Sequence, residues 1–160
     1  MDDQPQGIGQ RTESIAPLAE LILTLSDLER RLTLGLTMAL SEENVTFDQW
    51  RIMEALVGLD RPTMGELAEA SGMPNASLSR TVDSLEDGAF AFRLPGVADR
   101  RRITVHLSDR GVERLARVRD IVASWEKATV MMLGNDAVVA LDGAARSAAQ
   151  VLDGGKSLPR

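Results

Sequence analysis

At 160 residues with 44% hydrophobic and 26% charged residues, the chain has the composition of one globular domain that can bury a core without disulfide or metal staples. It holds no cysteine and one histidine, His106, which excludes thiol catalysis, thiolate metal sites and a disulfide framework and leaves zinc without a ligand set, so neither metal nor cofactor is expected. The formal net charge of −6 hides an asymmetry: residues 93–119 carry eight arginines (Arg93, Arg100, Arg101, Arg102, Arg110, Arg114, Arg117, Arg119) against Asp99, Asp109 and Glu113, a window that suits a polyanion unless it is a solvated helix face.

In chain order, residues 1–13 are polar with Gly and Pro and read as a frayed tail lacking the build of a signal peptide. A long helix is expected from Ser14 to Leu40, with Leu18, Ile22, Leu25, Leu28, Leu32 and Leu36 forming a stripe for burial. SEENVT interrupts it, and FDQWRIMEALV resumes as a helix ending at Gly58. Thr63 and Glu66 have capping-box spacing at the head of a short helix that stops at Ser71-Gly72. Pro74 and Asn75 then open NASLSRTVDSLED, whose Leu78, Val82 and Leu85 share one side, while Asn75, Ser79, Arg80 and Asp83 share the other and Ala76 and Ser77 stand in the first turn. Two short helices about a tight glycine turn make a helix–turn–helix, and a small, polar outer face with one arginine suits insertion between phosphate walls.

AFAFRL and RITVHL alternate as strands around PGVADR, so a hairpin wing follows, with Asp99 and the arginines at its tip. Val105 and Leu107 share one face with Ile103 in phase; Thr104 and His106 share the other. Ser108 caps a second long helix, and Asn135-Asp136 cap a final Ala-rich one that ends before GGKSLPR. No apolar run approaches the roughly 18 residues of a membrane span, so a cytoplasmic protein without a membrane partner is expected. No Gly-rich phosphate loop and no nucleophile–base set appears, and the acid pairs Glu42-Glu43 and Glu86-Asp87 sit at helix ends as caps or solvated charges, so no enzyme is expected.

VTFDQWRIMEAL, PTMGELAEASGMPNASLSRTVDSLEDG and DRRRITVHLSDRG, over roughly residues 45–111, resemble the MarR family of bacterial transcription regulators. The wing word is the most specific part: Asp-Arg-Arg, Val105, Leu107, Ser108 and Gly111 all fall at family spacing. The implied fold is mostly α with a small β-hairpin wing. One domain, 1–160, would hold a winged helix–turn–helix lobe over roughly 45–110 and long dimerisation helices over roughly 14–40 and 108–153.

The resemblance implies a homodimer whose recognition helices enter successive major grooves of a pseudo-palindromic double-stranded operator, with half-sites about 10 bp apart. It places Ser79 and Arg80 at bases or phosphates with Asn75, Ala76 and Ser77 at the helix start, Arg101 in a minor groove with Asp99 as its buttress, and Arg100 and Arg102 at phosphates. It also implies a repressor of neighbouring genes released by a small, aromatic effector, with Arg30, Trp50, Arg51 and Met53 near the cleft; core packing for Trp50 and Met53 and solvated charge for the arginines is the plainer alternative. The spacing departs from the family in two places. Gly88 to Asp99 is eleven residues, one more than the family pattern, and Gly96 stands where an acid is common. A dimeric interaction protein of this fold that has lost specific DNA binding is the competing reading.

Overall fold

The computed structural model describes residues 17–95 and 102–154. These residues fall into two units divided between Leu34 and Gly35, and helix α1 (Leu18–Leu40) runs through the division. Within residues 17–34, Asp27 accepts from Arg30 and Arg31, each at 2.6 Å, and both cations hold its carboxyl below the usual aspartate range. The expected stripe is not buried inside this unit: Leu18, Ile22 and Leu25 are exposed.

From Gly35 the order is the end of α1, a 3-10 turn (Ser41–Glu43), α2 (Phe47–Gly58), α3 (Met64–Ser71), α4 (Asn75–Asp87), β1 (Ala91–Pro95), β2 (Ile103–Leu107), α5 (Asp109–Leu133) and α6 (Asn135–Asp153). Local chemistry explains most boundaries. Thr46 and Gln49 form a reciprocal capping box at α2, and Thr63 and Glu66 form one at α3. Gly72, at φ 64°, closes α3 in the left-handed region that glycine adopts without a Cβ penalty. Ser108 caps α5 by accepting from the Gly111 amide at 3.0 Å. Asn135, by contrast, is the first residue of α6 and not its cap; Gly134 occupies that position and contributes no side-chain bond. No helix among the described residues is long and apolar enough to cross a membrane.

Two apolar clusters form the core of this unit. Ile52, Met53, Leu56, Leu67, Met73, Leu78, Val82, Leu85, Ala91, Val105 and Leu115 join α2–α5 and the hairpin. Leu36, Leu40, Val45, Val118 and Val122 join the end of α1 to α5, and Trp50 packs against both clusters. β1 and β2 pair antiparallel, with Arg93 opposite Val105 and Pro95 opposite Ile103. Val105 is fully buried, whereas Ile103 on the same face, in the strand pair nearest the connection between β1 and β2, is 50% exposed.

The start of α5 lies tight against the end of the α4–β1 connection. Ser108 N donates to the Phe90 carbonyl at 3.0 Å, Ser108 Oγ donates to the Ala89 carbonyl at 2.7 Å, and a Cβ on Gly111 would stand 2.0 Å from Phe90 O. Gly111→Ala must move backbone on one side, so it is expected to destabilise the chain by about 1–3 kcal/mol or more, read as a lower urea midpoint at unchanged m value. Further along α5, Arg119 donates to both oxygens of Glu54 at 3.0 and 2.7 Å, and Trp50 Nε1 adds a third bond at 3.2 Å. The Arg119 bond holds the Glu54 carboxyl below the usual glutamate range. Its contribution is therefore present above the unfolded-state pKa and lost as pH falls through the lowered folded value. Glu54→Gln should lower Tm at neutral pH, and its difference from the parent should vanish in acid below that value.

Candidate nucleic-acid interface

Helix α4 presents its outer side as a thin-walled, mostly small surface. Leu78, Val82 and Leu85 are buried beneath it, whereas Asn75, Ala76, Ser77 and Arg80 are exposed and Ser79 is half-buried. Among the described residues Arg80 makes no ion pair or hydrogen bond, so its guanidinium is available. The helix begins at Pro74 with no side-chain cap, which leaves its first amides as donors toward whatever lies in front of them.

The hairpin stands beside α3 and α4 through two sets of ties. On the β2 side, Val105 N donates to the Pro62 carbonyl at 2.9 Å and Thr63 bridges Thr104, so the turn before α3 extends the sheet by one residue pair. Glu66 then serves two partners. Its Oε2 accepts from Thr63 N and Thr63 Oγ1, each at 2.7 Å, while Oε1 accepts from Arg102 Nη2 at 3.1 Å. Those Thr63 bonds, ahead of Arg102, hold the Glu66 carboxyl below the usual range. On the β1 side, Arg93 Nη2 meets Asp83 Oδ1 at 2.8 Å, Arg93 N donates to Glu86 Oε1 at 2.9 Å, and Arg93 Nη1 donates to Glu86 Oε2.

Most of the described arginines of the window are engaged by the chain's own groups. Besides Arg93 and Arg102, Arg117 contacts Glu43 at 3.3 Å and Arg119 pairs with Glu54 at 2.7 Å. Arg114 donates to the Glu43 carbonyl and stacks 4.3 Å from the centre of the Phe90 ring, over which Arg110 also lies at 5.0 Å. Asp99, Arg100 and Arg101 lie outside the described residues. The Arg93–Asp83–Glu86 and Glu66–Arg102 groupings were missed by sequence reasoning, which took Glu66 as a cap and Glu86 as a cap or solvated charge.

The residues expected near an effector have structural partners. Met53 is fully buried in the core. Trp50 is half-buried and bonded to Glu54, and Arg51 donates to the Ser71 carbonyl while facing Asp48 at 3.7 Å and the Phe47 ring at 5.5 Å. Arg30 is exposed and bound to Asp27. A cavity of about 390 Å³ lies elsewhere, lined by Ala39, Glu42, Asp120, Ile121, Ser124 and Trp125.

Thr63→Ala removes the reciprocal cap at α3, and is expected to cost about 1 kcal/mol by urea denaturation. Because Glu66 also loses the donors that orient it toward Arg102, amide exchange at Thr104 and Val105 should speed up in the same variant.

Comparison with known proteins follows the same lines. Residues 43–102 match the family model described as MarR family. The transcriptional repressor CouR, bound to a 23-mer DNA duplex, superposes with a TM-score of 0.75 at 23% identity, covering 85% of this chain and 99% of that one. Wild-type MarR from E. coli in its apo form gives 0.70 at 22% identity over 84% and 98%. A cysteine-to-serine variant of MarR from E. coli complexed with operator DNA gives 0.72 at 22% identity over 83% and 94%. At these identities the likeness establishes the fold. No curated protein matches the chain in sequence.

Proposed function

We propose, from the match of residues 43–102 to the MarR family model, that this chain is a MarR-family protein: a cytoplasmic, homodimeric, sequence-specific DNA-binding regulator that represses neighbouring genes until a small ligand releases it. The observation that carries the reading is the outer side of α4: exposed Asn75, Ala76, Ser77 and Arg80 on a helix rooted by Leu78, Val82 and Leu85, with an uncapped start. Thin, polar and, among the described residues, free of competing ion pairs at Arg80, that side fits a major groove, with Ser79 and Arg80 toward base edges and Asn75, Ala76 and Ser77 toward the backbone. Asp99, Arg100, Arg101 and Arg102 form the wing contacts of this reading, with Arg101 in the minor groove, where a narrow groove strengthens the negative potential. Arg102 reaches a phosphate only by sharing or leaving Glu66.

Exposed apolar side chains support the dimer. Leu18, Leu21, Ile22, Leu23 and Leu25 on the first helix, and separately Met131, Met132, Val139, Leu141, Val151 and Leu152 on the last two, are uncovered in a single chain. Interleaving the terminal helices of two copies would remove this area from water. Effector release is supported by the cavity lined in part by Trp125, and a ligand there acts only if it binds the DNA-incompetent arrangement better.

Titrating the dimer against duplexes selected from a random pool, by fluorescence anisotropy over a range of salt, tests the reading. Sequence preference that persists as salt rises is expected. Binding no tighter than to scrambled duplex across that range overturns it in favour of a dimeric interaction protein of the same fold. Within the same assay, Arg101→Ala should weaken selected-site binding about tenfold or more, and Arg80→Ala should also relax base preference at one position per half-site.

A further inference from the structure

A two-stranded hairpin is marginal on its own and takes its orientation from what it is tied to. Here each strand is tied to a different helix. β2 is bound to the head of α3 through Pro62, Thr63 and Glu66. β1 is bound to α4 through Arg93, and apart from Ala91 in the core and the connection at residues 88–90 this grouping is what joins them. Glu86 grips Arg93 twice, at its backbone N–H and at its guanidinium, while the other arm of the guanidinium reaches Asp83 one turn earlier on α4. Two carboxylates and one planar fork over-determine the angle between strand and helix in a way that a single ion pair cannot. The side chains of Arg93 and Glu86 are only 27% and 28% exposed, so the pairing is partly shielded from water and salt.

Asp83 lies three residues after Arg80 and four after Ser79, on the same outer side. We propose that Arg93, although it belongs to the basic window, is a positioning residue and not a phosphate contact: it fixes the recognition helix to the wing so that both meet DNA in one register. This proposal rests on the regulator reading for its DNA consequence and on the geometry alone for its mechanical one. Discrimination is then sensitive to Arg93 because base-edge contacts depend on helix angle, whereas nonspecific attraction depends on charge alone.

Two readouts test it. In anisotropy titrations, Arg93→Ala should reduce the ratio of selected-site to scrambled-duplex affinity about tenfold, comparable to one mismatched base pair, with the slope of log K against log salt unchanged. Asp83→Asn combined with Glu86→Gln should lower the same ratio, and Arg93→Lys should recover part of it. A slope shallower by about 0.9, with the ratio intact in all three variants, would mark Arg93 as a phosphate contact and overturn the proposal. Full recovery by lysine would overturn the fork in favour of simple charge neutralisation.

The second readout needs no DNA. The chain has no native cysteine, so nitroxides introduced by Ala76→Cys on α4 and Ile103→Cys on β2, in labelled chain diluted with an excess of unlabelled chain so that a dimer carries one labelled copy, report one distance. Its distribution should be narrow in the parent and broaden in Arg93→Ala; equal widths overturn the proposal. If the parent shows no sequence preference, the regulator reading fails while the label distances still decide the clamp. Should Arg93→Ala not fold, Arg93→Lys and Glu86→Gln carry both readouts.

Discussion

The approach of α5 to the Phe90 carbonyl is the constraint on which the rest of the lobe depends. Within a few residues the chain leaves α4, turns through Ala89 at φ 56°, starts β1, and later returns through Ser108 to the same place. Ser108 links both passes and caps the departing helix, and only a glycine at position 111 lets that helix come so close. Phe90 is then roofed by Arg110 and Arg114 from the first turns of α5. Helix α4, hairpin base and helix α5 thereby share one anchor, and a shift in any of them is felt at Leu85, Ala91, Val105 and Leu115, where the three meet in the core.

Charge acts at a different level. The arginines after residue 92 look like one basic run along the chain, yet most of those described close contacts between elements: α5 to the 3-10 turn through Arg117, α5 to α2 through Arg119, β2 to α3 through Arg102, β1 to α4 through Arg93. Pairs of this kind, at or near the surface, each add little stability. Their effect is geometric, because a guanidinium fork prescribes direction as well as distance.

Much of the fold was legible because its determinants are local. The Thr63–Glu66 box, the Gly72 turn, the Ser108 cap and the Leu78–Val82–Leu85 stripe are each encoded within four residues or one helical period. The Asn135 cap failed because Gly134, with φ 87°, had already turned the chain. Leu18, Ile22 and Leu25 are exposed in the single chain, because periodicity says which face is apolar and not whether the same chain covers it. The exposed outer side of α4 was legible, because exposure follows from helix phase. The pairing of the arginines was not: Arg102 and Glu66 are 36 residues apart, Arg119 and Glu54 are 65, Arg117 and Glu43 are 74, and no spacing rule joins them. Met53 is fully buried, in line with the plainer of its two readings, core packing.

A chain of net charge −6 whose described arginines are largely occupied by its own acids has little to offer an arbitrary stretch of duplex. On the regulator reading, that restraint governs how the target is found. Sliding needs a generous, sequence-blind attraction to hold the protein against the backbone between sites. With the described arginines spending that attraction internally, visits to random DNA would be short, travel would be mostly through solution, and a long dwell would occur only where base contacts and groove shape are both satisfied.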